Sequence, residues 1–351
     1  MTSFESIPTI DLSLANHPDT LPHLLKNLRH ALIDVGFLYI SNHGVPPPVI
    51  SDLVSALPGL FSLDEATKRA VALENSPHFL GYSGVGSENT GGAVDLREQF
   101  EFATELTATW REGLPPYEHL RGPNQWPNDD VELRSVIERY ISELSQLGER
   151  FLDLVAQALL LPSGTFQPFL SDQHRLKLVH YPECSSISPG QGVGPHKDSS
   201  GWWTFLLQAS PPEVKGLQVL NKAGSWVDVP VVEGTLVVNI GQAFEVVTGG
   251  VCKATTHRVL AGQRERFSVP FFQGVRRDLT KAEAVGTLKT HFAGILSVES
   301  SEGSQIDSAF LRGKYHTWGE SQLRTKVRSH RENGKKFYGE LYEQYINDDY
   351  F

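Results

Sequence analysis

Cysteine is scarce in this chain of 351 residues, which contains only Cys184 and Cys252. The two residues form no CxxC pair and are too few for a disulfide framework. Unpaired thiols are typical of a reducing compartment, where disulfides are rare. The sequence therefore predicts two ordinary thiols and a cytoplasmic location.

Long apolar runs and a positive charge balance are also missing. No stretch approaches the roughly 20 apolar residues that a membrane-spanning helix requires. The first residues, MTSFES, lack the basic start and apolar run of a secretory signal. The formal net charge of -10 disfavours nucleic acid and anionic membrane surfaces as partners. With 40% apolar and 21% charged residues, the composition is that of an ordinary globular protein with a sizeable core, of undetermined oligomeric state.

The first half of the chain has apolar residues at helical spacing in three places. These are residues 21–35, which Gly36 terminates, residues 48–60, and residues 129–160, where the amphipathic pattern is strongest. Short strands are expected at 7–12 and 37–40. Residues 76–127 are rich in Gly, Pro and aromatic residues, and their weak periodicity is typical of a long ordered surface segment that lies over a site.

After Pro162 the pattern changes to short β-type runs bounded by Gly and Pro. These runs are residues 176–181, 202–208, 217–220, 225–229, 235–240, 256–260 and 267–273. Their regular spacing indicates an antiparallel sandwich or barrel. A basic helix is expected at 321–345, packed on the outside. The predicted class is α+β, mostly β with flanking helices, with an N-terminal region at 1–160 and a β core at 161–351 that form one catalytic unit.

Three residues have the types and spacing of a metal site. The segment GPHKD places His196 and Asp198 two residues apart, and in a strand such residues point to the same side. His257 follows 59 residues after Asp198, at a distance that a returning strand can span. Two histidines and one carboxylate can occupy one face of a six-coordinate iron(II) and leave three positions for an organic co-substrate and O2. An HxD pair alone is weak evidence, because chance pairs are common in a chain with 13 histidines.

A possible carboxylate clamp follows the second histidine. Arg266 and Ser268 lie two apart in the run RFSVPFF and would face one way on a strand. An arginine can bind a carboxylate through a bidentate fork.

These motifs resemble the plant and fungal 2-oxoglutarate-dependent dioxygenases related to isopenicillin N synthase. The similar segments, in chain order, are IPTIDL (7–12), GFLYISNHGVP (36–46), LKLVHYP (176–182), GPHKDSSGWWTFLLQ (194–208), GLQVLNKAGSWVDVP (216–230), GTLVVNIGQAFEVVTGG (234–250), HRV (257–259) and RFSVPFF (266–272). The resemblance covers most of the chain. It implies a double-stranded β-helix, or jelly-roll, core.

The resemblance also implies roles for individual residues. His196, Asp198 and His257 would bind Fe(II), while Arg266, Ser268 and Tyr181 would hold the distal carboxylate of 2-oxoglutarate. With O2, such an enzyme forms succinate, CO2 and a ferryl intermediate that hydroxylates, desaturates or cyclises a small-molecule substrate. The sequence departs from the pattern at Val179, where many relatives have an asparagine that contacts the co-substrate.

Candidate substrate contacts lie mainly in the segment GYSGVGSENTGG and its flanks, which resemble the loop that covers the site in relatives, including the bacterial ethylene-forming enzyme. They are Phe79, Tyr82, Glu88, Thr90 and Arg97, with Phe100, Phe271 and Trp203 as candidates for the apolar wall. The segment itself is expected to be a lid that closes over substrate. Packing and turn formation are the alternative roles for these residues.

Several functional alternatives remain open at this level. The first is an oxidase like isopenicillin N synthase, in which Arg266 and Ser268 bind the carboxylate of the substrate and no 2-oxoglutarate is used. Ethylene formation is a further reaction of the 2-oxoglutarate-dependent class. A binding protein without activity is also conceivable, but the intact triad and clamp argue against it. The substrate has no signature in the sequence.

Overall fold

The protein is an α+β structure with a jelly-roll core, here represented by a computed structural model that describes residues 4–184, 190–299 and 306–347. The described strands are Thr9–Asp11 (β1), Phe37–Ser41 (β2), Gly81–Ser83 (β3), Asn89–Thr90 (β4), Ala93–Val94 (β5), Glu98–Ala103 (β6), Arg175–Tyr181 (β7), Gly190–His196 (β8), Trp203–Gln208 (β9), Leu217–Leu220 (β10), Trp226–Asp228 (β11), Thr235–Ile240 (β12), His257–Ala261 (β13) and Arg266–Phe272 (β14). The described α-helices are Leu21–His30 (α1), Pro47–Phe61 (α2), Glu65–Ala70 (α3), Val131–Ala158 (α4), Gln242–Val247 (α5), Lys281–Gly286 (α6), Lys289–Glu299 (α7), Ala309–Arg312 (α8), Trp318–Ser329 (α9) and Arg331–Ile346 (α10).

Two sheets form the β core. The large sheet has the strand order β1-β2-β12-β9-β14-β7-β6-β3, and the small sheet has the order β11-β10-β13-β8. Apolar residues of both sheets, such as Val179 and Leu206 from the large one and Val219 and Val259 from the small one, form one buried cluster between them. The cavity described below opens within this space.

The outer face of the large sheet is covered by helices. Helix α4 is capped by Asp130, the residue before it, whose carboxylate accepts hydrogen bonds from the backbone N–H groups of Glu132 and Leu133. Its apolar stripe, including Leu144 and Phe151, packs with α1, α2 and the outward-facing residues of the sheet. The predicted helices at 48–60 and 129–160 are confirmed by α2 and α4. The predicted helix at 21–35 is also confirmed, because α1 continues through a π-helical turn to residue 35.

Gly36 terminates the first helix for a steric reason. It has φ +75°, and a Cβ there would lie 2.3 Å from Thr255 Oγ1. Only glycine accepts both the left-handed backbone and the close approach. The chain can therefore turn at once into β2, which pairs with β12 in the middle of the large sheet.

The segment 76–127 differs from the expected surface excursion. It contains β6, a strand with every residue buried that pairs with β7 in the large sheet. The N-terminal region thus supplies β1, β2, β3 and β6 to the sheet that carries part of the site. Within the described residues, no helix has both the length and the apolar character needed to cross a membrane.

The C-terminal part also differs from the prediction of one helix at 321–345. Two helices, α9 and α10, meet at His330, which has φ -125° and ψ 73°. A Cβ at Gly334 would lie 2.9 Å from both Val327 and Tyr342, so this glycine allows the two helices to pack closely. Helices α6, α7 and α8 were not predicted, and their short lengths give little periodic signal.

Candidate metal centre

The two predicted metal-binding histidines lie opposite each other on neighbouring strands. His196 is the last residue of β8 and is the register partner of His257, the first residue of β13. Asp198 lies beyond the end of β8, so the prediction that both residues of the HxD pair occupy one strand is wrong. The segment that follows the strand places the Asp198 carboxylate beside the two rings.

The distances are suitable for one metal ion. Asp198 Oδ1 lies 3.6 Å from His196 Nε2 and 3.6 Å from His257 Nε2. One ligand atom from each of the three residues lies within 4.8 Å of the other two. Two imidazoles and a carboxylate are the donor set of non-haem iron(II) sites with open positions.

Hydrogen bonds fix the orientation of both rings. His196 Nδ1 is 2.8 Å from the carbonyl of Gly194, and His257 Nδ1 is 3.1 Å from the carbonyl of Thr255. A carbonyl can only accept, so each Nδ1 carries the proton and each Nε2 presents its lone pair to the metal position. Burial, and then the neighbouring His196, lowers the pKa of His257 to about 4, which favours the neutral ligand.

The carboxylate is oriented in the same way. Asp198 Oδ2 accepts hydrogen bonds from Asn239 Nδ2 at 2.7 Å and from Thr204 Oγ1, which leaves Oδ1 for a metal. Burial opposes the charge of Asp198, but His257, His196 and the Thr204 hydroxyl together lower its pKa below the usual value. The ligand set is therefore ready to bind a divalent cation.

A cavity of about 280 Å³ extends from this triad between the sheets. One end contains Arg266, Ser268 and Tyr181, and Arg266 is the register partner of Tyr181 on the neighbouring strand. The Arg266 side chain is 2% exposed. Its Nη2 lies 3.3 Å from Gln208 Oε1, while Nε and Nη1 have no hydrogen-bond partner among the described residues. A buried guanidinium with free donors fits an anionic group such as the distal carboxylate of 2-oxoglutarate.

The position that departs from the family pattern lies beside this clamp. Val179 is paired with Ser268 across β7 and β14 and lines the cavity. Because valine has no polar atom, it supplies an apolar wall where an asparagine would supply a hydrogen bond.

For three residues predicted to line the cavity wall, the residue that lines it is the next one along the strand. Phe100, Trp203 and Phe271 are fully buried in the core on the opposite side of the large sheet. Their neighbours line the cavity instead, and they are Glu101, Thr204 and Phe272. Successive residues of a strand face opposite sides, so the expected role of these three aromatic residues in the wall is corrected to core packing.

The residues predicted in the covering segment have different positions. Phe79 is fully buried and stacks on Tyr338, with ring centroids 5.6 Å apart, so it contacts the C-terminal helices and not the cavity. Thr90 and Arg97 line the cavity. Tyr82 and Glu88 line a vestibule of about 1200 Å³ that shares Thr90 with the cavity.

Hydrogen bonds attach this segment to the metal-bearing strand. Gln191 Nε2 on β8 donates to the carbonyls of Thr90 and Ala93 and to Asp95 Oδ1, at 2.9–3.1 Å. Glu88 forms an ion pair with Arg97 and accepts a hydrogen bond from Gln99. The predicted mobility of the lid remains a prediction.

Several cavity residues were missed from the sequence. Thr204 and Asn239 hold Asp198, and Glu101 and Lys177 line the end of the cavity away from Arg266. The alternation along β7 was the available signal, because Arg175, Lys177, Val179 and Tyr181 all line the cavity.

The fold and the site together define a class of protein. Two histidines and one aspartate on a jelly-roll core, beside a buried arginine, are the arrangement of a mononuclear non-haem iron(II) oxygenase.

Comparisons with known proteins agree with this class. Residues 7–129 match the family described as "non-haem dioxygenase in morphine synthesis N-terminal", and residues 172–275 match the 2OG-Fe(II) oxygenase superfamily. The chain is 41% identical over 346 residues to the 2-oxoglutarate-dependent dioxygenase frbJ of Dothideomycetidae sp., covering 95% of this chain and 92% of the relative. It is 34% identical to a 2-oxoglutarate-dependent dioxygenase of Gibberella zeae, covering 97% of this chain and 93% of the relative.

A solved structure has the same fold. It is that of a full-length Neurospora crassa protein in complex with alpha-KG and thymine, and it superposes with a TM-score of 0.66 at 25% identity, over 78% of this chain and 86% of that chain. The chain belongs to the 2OG-Fe(II) oxygenase superfamily and is a non-haem iron(II), 2-oxoglutarate-dependent dioxygenase.

Proposed function

We propose that this dioxygenase oxidises a small organic molecule in the cavity beside the triad, with 2-oxoglutarate held by Arg266, Ser268 and Tyr181. The observation that carries the proposal is the buried guanidinium of Arg266. Two of its three nitrogens lack a hydrogen-bond partner among the described residues, and it lines the same cavity as the triad. Arg266 has no ion-pair partner in the part of the chain that the structure describes, and a buried charge without one is costly, so a bound carboxylate would offset that cost.

The residues around the 2-oxoglutarate position have separate roles in this arrangement. Arg266 would pair with the distal carboxylate, and the Ser268 and Tyr181 hydroxyls would donate hydrogen bonds to it. The buried side chains of Val179, Leu206 and other apolar residues exclude water from this end, which strengthens the ion pair.

His196, Asp198 and His257 would hold the iron, with their free atoms oriented by Gly194, Thr255, Thr204 and Asn239 as described above. Iron(II) with 2-oxoglutarate and O2 supplies an oxidant for a C–H bond, with succinate and CO2 as the co-products. The remaining residues of the cavity bind and orient the substrate. Hydroxylation, desaturation, ring formation and ethylene formation all remain reactions that this machinery supports.

The test is a substrate screen with iron loaded under nitrogen, followed by the admission of air. Succinate and oxidised product are measured with and without 2-oxoglutarate. The proposal predicts that product appears only with 2-oxoglutarate and that about one succinate forms for each product. Product formed at an equal rate without 2-oxoglutarate would instead support the oxidase alternative, in which Arg266 binds the substrate.

A cytoplasmic location and the absence of a nucleic-acid partner also remain predictions.

A further inference from the structure

Positive charge is concentrated in the wall of the cavity. Besides Arg266 and Lys197, four cationic side chains line it, and they are Arg97, Arg175, Lys177 and Lys326. They come from three parts of the chain. Arg175 and Lys177 lie on β7, Lys326 lies on α9, and Arg97 immediately precedes β6. Three carboxylates lie near these cations, and they are Glu88, Asp95 and Glu101.

One carboxylate serves three of these cations. Glu101, 1% exposed, is 2.6 Å from Arg175 Nη1 and 2.7 Å from Lys326 Nζ. Lys177 Nζ is farther away, at 3.7 Å from Glu101 Oε2. Burial opposes the charge of Glu101, but Lys326, Lys177 and Arg175 together lower its pKa below the usual value. This carboxylate is therefore charged.

The fourth cation uses the two other carboxylates of the group. Arg97 forms an ion pair with Glu88, and its Nη2 lies 3.5 Å from Asp95 Oδ2. Lys177 Nζ is 3.9 Å from Glu88 Oε1, which also faces His330 at 3.5 Å. The group therefore contains four cationic side chains and three carboxylates, and one positive charge remains.

Lys177 has two carboxylates nearby but makes no hydrogen bond with either of them. Its Nζ lies 3.7 Å from Glu101 Oε2 and 3.9 Å from Glu88 Oε1, which is beyond hydrogen-bond distance. Its side chain is 18% exposed, and it lines both the cavity and the vestibule. An ammonium has three donors, so this one is available to a ligand that enters through the vestibule.

We propose that the substrate carries a carboxylate and that Lys177 binds it, with Lys326 beside it. This proposal rests on the proposed function, since it concerns the same cavity. Lys177 and Tyr181 lie four residues apart on β7, which corresponds to about 13 Å along the strand. The carboxylates of the substrate and of 2-oxoglutarate therefore bind at different ends of the cavity and do not compete.

The competing explanation is that the charged group only fastens α9 to the sheet, through the contact between Lys326 and Glu101. That contact does not need Lys177, because Glu101 keeps Arg175 and Lys326 without it. A change at Lys177 consequently separates the two explanations.

The experiment measures the melting temperature of the iron(II) protein with 2-oxoglutarate under nitrogen, where no turnover occurs. The probes are L-amino acids and simple aliphatic and aromatic acids, each paired with its primary amide. We expect acids that stabilise the wild type to bind at least tenfold more tightly than their amides. Lys177→Met should remove this preference, while Lys177→Arg should retain it. Lys222→Met, at an exposed position of a turn, is the matched control and should behave as wild type.

The outcomes are distinct. If no acid stabilises the wild type more than its amide does, or if Lys177→Met keeps the preference, the proposal is overturned. Lys177→Gln replaces the Met variant if the latter does not fold. The affinity for 2-oxoglutarate should be unchanged in Lys177→Met, Lys177→Arg and Lys222→Met, and in Lys177→Gln where it is used. A wild type that does not bind 2-oxoglutarate would contradict the proposed function instead, and the same acid and amide comparison without 2-oxoglutarate would still decide this proposal.

Discussion

Replacement of Arg266 by lysine is the sharpest perturbation of the proposed co-substrate clamp. The Arg266 side chain is almost completely buried, and its Nε and Nη1 have no hydrogen-bond partner among the described residues. Lysine keeps the positive charge, but it presents one nitrogen where the guanidinium presents a planar fork. The variant therefore tests the geometry of the clamp and not only its charge.

The expected loss follows from the number of hydrogen bonds. A hydrogen bond to a charged group contributes about 1.5–3 kcal/mol, and lysine can replace one bond of a bidentate pair but not both. Since about 1.4 kcal/mol corresponds to a factor of ten, the affinity for 2-oxoglutarate should fall about 10- to 150-fold. Burial, the first cause that lowers the Arg266 pKa, makes an imperfect pairing more costly here than at the surface.

The assay is an anaerobic titration of the iron(II) protein with 2-oxoglutarate, followed through the absorbance band of the iron–keto-acid complex. Arg264→Lys is the matched control, because Arg264 lies two residues earlier in the chain and its side chain is 65% exposed. It should bind 2-oxoglutarate as the wild type does. An unchanged affinity in Arg266→Lys would refute the assignment and would favour Arg266 as a ligand of the substrate.

Three further predictions concern the residues around the clamp and the metal. Ser268→Ala and Tyr181→Phe should each weaken 2-oxoglutarate binding by about 0.5–1.5 kcal/mol in the same titration, because each loses one hydrogen bond from an uncharged donor while Arg266 still balances the charge of the carboxylate. Thr204→Val should lower iron affinity about 10- to 100-fold in a competition titration with a chelator, because the Asp198 carboxylate loses one of the two hydrogen bonds that orient it. Trp203→Ala should lower the free energy of unfolding by about 3–5 kcal/mol in a denaturant titration, because the ring is packed in the core, but should leave 2-oxoglutarate affinity unchanged in the folded protein.

Each of these predictions has a contradicting result. Full affinity for 2-oxoglutarate in both hydroxyl variants would remove Ser268 and Tyr181 from the clamp. Wild-type iron affinity in Thr204→Val would mean that Asn239 alone orients Asp198. A Trp203→Ala protein that is as stable as the wild type but forms less product per succinate would indicate that Trp203 contacts the substrate.

Local patterns were sufficient for the elements whose stability depends on one apolar face. The long amphipathic repeat predicts α4, and the regular short runs predict β7 and β9 to β14 of the core but not β8. Strand β6 was missed because it contains Glu98, Gln99 and Glu101 in a fully buried strand. Partners distant in the sequence, such as Lys68 for Glu98, neutralise these charges, and a single sequence does not reveal such pairings.

The metal ligands were predictable because their chemistry restricts the residue type. The wall residues were not, because the face of the strand alone determines which side chain lines the cavity. Two histidines and an aspartate at the observed spacing have few other uses on one scaffold. The aromatic wall was misassigned because Phe271 and Phe272 have the same chemistry and lie on opposite faces. The alternation set by Arg266 and Ser268 selects the even-numbered position, Phe272.

The central claim is that His196, Asp198 and His257 bind the iron on which 2-oxoglutarate turnover depends. The most direct measurement is iron bound per chain together with the release of CO2 from 2-oxoglutarate labelled at its first carbon, in wild type, Asp198→Ala and the exposed control Asp52→Ala. We expect wild type and Asp52→Ala to bind one iron and release CO2, and Asp198→Ala to bind little iron and release none while remaining folded. Full iron occupancy and wild-type CO2 release in Asp198→Ala would contradict the account.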